Sequence, residues 1–131
     1  MSHNPSILSH VSLGTNDYQA ARKFYEDVLG SVGYNIIMEH GEATAFGKEF
    51  PEFWIHPPLN GEPATVGNGS HVSFMVDTND LVHTMYDAAI AAGATDEGAP
   101  GPRPQYGDGY YGAFMRDLDG HKIEVMCWTE K

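Results

Sequence analysis

The chain has 131 residues, 41% hydrophobic and 19% charged, and seven Lys or Arg against eighteen Asp or Glu give a formal charge of −11. That length fits one compact domain with a real core. The acidic balance argues against nucleic acid and anionic membrane as partners, since both require a basic surface. Cys127 is the single cysteine, which excludes an intrachain disulfide and reads as a small core residue. No apolar run approaches the roughly 18 residues needed to span a bilayer. The opening MSHNPSILSH lacks the basic-then-apolar order of a secretory signal, so a soluble cytoplasmic protein is expected.

In chain order, a first strand is expected over residues 7–13. Asn16 or Asp17 then offers a cap for the orphan N–H groups of a helix. Ala21, Phe24, Tyr25, Val28 and Leu29 follow helical spacing, and Gly30 is the expected left-handed stop. Short strands are expected over 34–39, 42–47 and 52–56, separated by Gly or Pro. The pattern then restarts: Ser9-His10-Val11-Ser12 recurs as Ser70-His71-Val72-Ser73, an offset of 71 − 10 = 61 residues. A strand over 70–76 is followed by a cap within Thr78 to Asp80 and by an apolar stripe of Val82, Met85, Tyr86, Ala89 and Ile90. Gly93 is its stop. Strands over 94–97, 110–116 and 121–128 complete the second half, with Asp117-Leu118-Asp119-Gly120 as a hairpin turn. Residues 98–109 are rich in Pro and Gly and read as an irregular connector, or as a loop placed to cover a substrate. Each half is therefore β-α-β-β-β. The expectation is an α+β fold in which one domain over 1–131 holds two modules, about 5–60 and 68–129.

Alternation along the strands assigns side chains to faces. Val72, Phe74 and Val76 form the apolar set of one strand, which leaves His71, Ser73 and Met75 opposite. Ile123, Val125 and Cys127 form the set of the last strand, which leaves Lys122, Glu124, Met126 and Trp128 opposite. The same parity puts His10 on the face away from the helices. Two imidazoles and a carboxylate suit a divalent metal and leave three positions of an octahedral ion open.

The duplicated β-α-β-β-β unit, with His at the start of each first strand and Glu on the last, resembles the vicinal oxygen chelate superfamily. Glyoxalase I, bleomycin and fosfomycin resistance proteins and extradiol dioxygenases belong to it. The resemblance spans nearly the whole chain and is carried by His10-Val11-Ser12-Leu13, Phe24-Tyr25, Phe53-Trp54-Ile55, the stretch from Gly69 to Phe74, Tyr110 to Phe114 and Arg116 to Glu124. It implies two modules forming an open, incomplete barrel around a metal, in a chain that dimerises. By that resemblance His10, His71 and Glu124 match the metal ligands. Trp54 stands where glyoxalase I has a fourth, carboxylate ligand, and His56, two residues on, could substitute or act as an acid or base. The remaining two-His-one-Glu set is similar to that of extradiol dioxygenases, although those are typically longer, four-module chains.

The chemistry implied is chelation of two adjacent substrate oxygens by a dication, which stabilises developing negative charge. Glu124 and His56 are the candidate catalytic groups, with Glu52 as another candidate base. Trp54, Arg103 and Tyr110 are the candidate substrate contacts, and Arg103 and Tyr110 suit an anionic substrate. Three readings follow. The first is a metal-dependent lyase or isomerase of glyoxalase type, the second an extradiol-type dioxygenase. The third is a non-catalytic drug-binding or resistance protein that uses Trp54, Tyr110, Tyr111 and Trp128. Iron, manganese, nickel, cobalt or zinc all suit the ligand set. The expected partner is a small molecule, with a second copy of the chain as homodimer.

Overall fold

A computed structural model describes residues 6–128. The module limits expected at Pro5 and Thr129 lie outside the described residues. Strand β1 (Val11–Gly14) leads into helix α1 (Tyr18–Gly30) and then β2 (Asn35–Glu39), β3 (Thr44–Gly47) and β4 (Phe53–His56). The order repeats as β5 (His71–Met75), α2 (Asn79–Ala91), β6 (Thr95–Pro102), β7 (Tyr111–Arg116) and β8 (Lys122–Cys127), with a 3-10 turn at Pro104–Tyr106. The strands form two four-stranded mixed sheets, ordered β1-β4-β3-β2 and β5-β8-β7-β6. In each, the first strand runs parallel to the last and the other pairs are antiparallel. The architecture is α+β, two β-α-β-β-β units without a closed barrel. Among the described residues no helix is long and apolar enough to cross a membrane.

The helices form for the local reasons their sequences carry. The Asp17 side chain accepts from the Ala20 N–H at 3.1 Å, and the Thr78 side chain accepts from Leu81 N–H at 3.1 Å. Asn16 instead ties down the chain between modules, by two hydrogen bonds with the Ala64 backbone. Ala21, Phe24, Tyr25, Val28 and Leu29 are buried, as are Val82, Met85 and Ala89. Gly30 remains inside α1, and the following Ser31 is right-handed, so the left-handed turn expected at Gly30 falls at Gly33, with φ +89°. Gly93 does take that role after α2, with φ +109°.

One core joins the two halves. Tyr25 packs against Phe53 in a tilted contact at 4.8 Å, and Phe53 meets Phe74 edge-on at 5.1 Å, so module one reaches the first strand of module two. Ile123, Val125 and Cys127 complete this cluster from β8, with Cys127 buried. Polar ties cross the same boundary. The Tyr25 hydroxyl donates to buried Asp117, Tyr34 donates to the Met75 carbonyl at 2.5 Å, and His121 Nε2 donates to the Gly14 carbonyl at 2.7 Å. Asp117 also accepts from the Asp119 and His121 N–H groups, which holds the hairpin closed around Gly120 at φ +95°.

Two strands depart from the sequence expectation by more than two residues, while the others begin and end within two residues of it. β1 starts at Val11, so residues 7–10 precede it and His10 stands just ahead of its first residue. β6 continues through Gly98, Ala99, Pro100 and Gly101 to Pro102, inside the segment expected to be irregular. It lies at the sheet edge, where Pro costs no ladder bond on its outer side. It accommodates the composition through register shifts on either side of Gly98.

Candidate functional site

The second sheet turns one face away from α2, and the strand registers say which side chains meet there. Ser73 of β5 pairs with Glu124 of β8, and Glu124 pairs with Phe114 of β7. His71 lies two residues before Ser73 and therefore on the same face. Its Nε2 comes to 3.1 Å from Glu124 Oε1. Glu124 is only 7% exposed, an unusual setting for a carboxylate. Its second oxygen, Oε2, accepts a 2.5 Å hydrogen bond from the Tyr110 hydroxyl. Both oxygens are thus directed, one to an imidazole and one to a phenol.

Tyr110, just ahead of β7, reaches that position by lying across that strand. A Cβ at Gly112 would sit 2.4 Å from the Tyr110 Oη and 2.7 Å from its Cζ, so the ring requires glycine beneath it. Tyr106 meets Tyr110 edge-on at 5.3 Å, and Trp128 does so at 5.7 Å. Burial, foremost, and the Glu124 carboxylate push the Tyr110 phenol well above its ordinary value, so it remains a donor at any physiological pH.

The loop before β7 is held by Arg103. Its Nη1 donates to the Gly101 and Gly112 carbonyls at 2.9 and 2.6 Å, its Nη2 donates to Ala99 at 2.9 Å, and the guanidinium stacks 5.4 Å from the Phe114 ring. In the free chain these nitrogens therefore serve the loop.

The other expected site residues lie on module one. His10 is exposed, with Nδ1 2.9 Å from the Ser9 hydroxyl, and borders the same cavity of about 650 Å³ as His71. Trp54 pairs with Ser12 and His56 with Gly14, so both share one face of the first sheet. His56 Nδ1 lies 2.7 Å from the Pro57 carbonyl, which assigns the ring proton to Nδ1 and leaves Nε2 as acceptor in the neutral ring. Glu52 is exposed beside this strand and also borders the cavity. The structure joins His71 to Glu124 and leaves His10 apart from both. Among the described residues no group of three or more His, Cys, Asp or Glu gathers to hold a metal.

The His71–Glu124 pair nevertheless suits half of such a site. Two ligand atoms each about 2.1 Å from an ion and 90° apart lie about 3.0 Å from one another. The observed 3.1 Å matches that bite. Sequence reasoning overlooked the Tyr110–Glu124 bond and the role of Gly112. A Tyr and a Gly two residues apart at the start of a strand were the available signal, but the ring's fold back over that strand is a tertiary choice.

The sequence model of the Glyoxalase/Bleomycin resistance protein/Dioxygenase superfamily matches residues 7–125. A glyoxalase/bleomycin resistance protein from Albidiferax ferrireducens T118 is similar at 35% identity, over 93% of this chain and 99% of that one, with a TM-score of 0.86. A glyoxalase/bleomycin resistance protein/dioxygenase family enzyme from Burkholderia phytofirmans PsJN shares the fold at 24% identity and TM-score 0.73, over 94% and 99% of the two chains. A lactoylglutathione lyase from Agrobacterium tumefaciens does so at 24% identity and TM-score 0.66, over 95% of each chain. No curated protein sequence matches.

Proposed function

Because the chain belongs to the glyoxalase/bleomycin resistance protein/dioxygenase superfamily, we propose that it is a divalent-metal-dependent lyase or isomerase acting on a small substrate with adjacent oxygens. The observation that carries this reading is the His71–Glu124 pair at 3.1 Å on an open sheet face. His71 Nε2 and Glu124 Oε1 would hold the ion. When bound, the ion supplies Lewis acidity to the two substrate oxygens.

The chain's own groups prepare that role. Tyr110 donates to Glu124 Oε2 and so turns Oε1 toward His71, as outer partners of metal ligands generally do. His56, on the first sheet beside β1, has its proton held on Nδ1 and, brought to the pair by a second copy of the chain, offers Nε2 as the base that takes a proton from substrate. Trp54 supplies an apolar wall beside it, and Arg103 holds the covering loop in place.

His10 is the third ligand, contributed by a second copy of the chain. Two observations support this. Within one chain His10 is not gathered with the pair, and β1 and β5 are edge strands of their sheets, with unpaired edges that invite a partner strand. Exposed Met75 on β5 and Leu8 ahead of β1, 62% and 67% accessible, offer apolar surface there. The homodimer is therefore part of the site.

Metal analysis tests the reading. Metal-free protein titrated with manganese, cobalt, nickel, zinc or ferrous ion takes up one equivalent per chain. His71→Ala and Glu124→Ala each lose it, with at least a tenfold fall in affinity. Undiminished metal binding by both variants contradicts the proposal. A second reading, stoichiometric binding of an aromatic ligand without turnover, is favoured by Tyr106, Tyr110, Phe114 and Trp128 around the same carboxylate. Ligand binding unaffected by chelator would select it.

A further inference from the structure

We propose that His71, Lys122 and Arg116 form a subsite for an oxyanion of the substrate, a carboxylate or phosphoryl group. This deepens the proposed function, on which it rests only for the substrate's other, oxygen-chelating end.

The subsite follows from register. His71 of β5 pairs with Lys122 of β8, and Lys122 pairs with Arg116 of β7. Three nitrogen-bearing side chains thus cross the sheet in one row on one face, strand by strand at about 4.8 Å. The neighbouring row is Ser73, Glu124 and Phe114, so the basic row lies directly beside the proposed metal ligand. Residues 65–70 close the far side, and a polar cavity of about 680 Å³ lies between them and the row. Asn68 and Ser70 border that cavity together with His71, Arg116 and Lys122. Gly67 and Gly69, with φ +71° and +100°, let the segment turn around it.

Charge makes the row informative. The chain has seven basic residues against eighteen acidic ones, yet two of the seven stand side by side here. Lys122 has no carboxylate partner among the described residues, and its ammonium lies 5.0 Å over the Phe114 ring. Arg116 donates from Nη1 to the Gly120 carbonyl at 3.0 Å, and its ion-pair partner among the described residues, Glu97, lies 3.7 Å from Nε. An ammonium and a guanidinium with donors to spare, facing a polar cavity, suit two or three oxygens of one anionic group. His71 borders both this cavity and the one it shares with His10. The substrate is accordingly an anion whose carboxylate or phosphoryl group lies on one side of His71 and whose paired oxygens lie on the other.

The test uses metal-free, full-length protein at constant ionic strength, with inorganic phosphate and acetate as separate probes and chloride as control. Amide NMR shifts are expected to concentrate on residues 65–71, 116 and 122, and the preferred probe distinguishes phosphoryl from carboxylate. Lys122→Met weakens binding of that probe about tenfold or more while its metal affinity, titrated separately, remains that of the unaltered chain. Arg116→Lys, which keeps the charge and loses the fork, gives a smaller loss. Neither probe binding above chloride, shifts scattered over the surface, or unchanged affinity in Lys122→Met overturns the proposal. The ion titration of His71→Ala and Glu124→Ala is a separate readout, so failure of the metal reading is distinguishable from failure of this one.

Discussion

Glu124 is the residue on which the site turns, and its neighbours set what it can do. A buried carboxylate with one oxygen on a phenol and one facing an imidazole is held in a single orientation. Tyr110→Phe removes a hydrogen bond to a charged group, which costs about 1.5–3 kcal/mol; urea denaturation should show a loss in that range. Tyr25 provides a pH prediction. Burial first, and then Asp117, raise its phenol well above the ordinary value of about 10. Above that pH the unfolded chain gives up the proton while the folded chain keeps it, so the unfolded state binds fewer protons and stability falls as pH rises. Below about pH 10 the contribution is fully present. The urea midpoint should therefore drop as pH rises above about 10, and Tyr25→Phe should flatten that drop. At this scale the sequence was legible only by alternation: it put His71, Lys122 and Glu124 on one face from residue numbers alone, because period two is a property of the backbone. It did not reveal that Tyr110 would occupy Glu124, since that contact depends on a loop folding over the strand.

At the scale of elements, β7 is the strand that shapes the site. Gly112 lets Tyr110 lie over it, and the Gly112 carbonyl anchors Arg103. Gly112→Ala should displace the Tyr110 ring, change the near-ultraviolet circular dichroism of Tyr110 and Trp128, and cost about 1–3 kcal/mol; an unchanged spectrum would show that the ring does not depend on the glycine. The helices were the most legible elements, because a cap and a 3.6-residue stripe are local signals. Asp17 and Thr78 supply the caps and Phe24, Tyr25 and Val28 show the stripe. β6 was the least legible. Gly98, Pro100, Gly101 and Pro102 argue against a strand, and only an edge position with shifted register makes one there. Nothing in local composition announces an edge.

At the scale of the molecule, the duplication seen as Ser-His-Val-Ser repeated after 61 residues becomes two sheets of identical strand order. The two halves share one aromatic core through Phe53 and Phe74, so neither is an independent unit in packing. What the repeat could not show is how two sheet faces meet, since that is decided by which edges pair and between how many chains. His10 stands just ahead of β1 of the first sheet and the His71–Glu124 pair lies on the second, so the proposed site needs a second copy to unite them. Co-expressed, separately tagged His10→Ala and Glu124→Ala chains provide the direct measurement, as metal bound by the purified heterodimer. Each variant alone should bind no tightly held ion. In the heterodimer one of the two sites draws an intact His10 from the Glu124→Ala chain and an intact His71–Glu124 pair from the other, so half the unaltered dimer's metal should return. A heterodimer as empty as its parents, beside an unaltered dimer that is fully loaded, would contradict a site shared between chains.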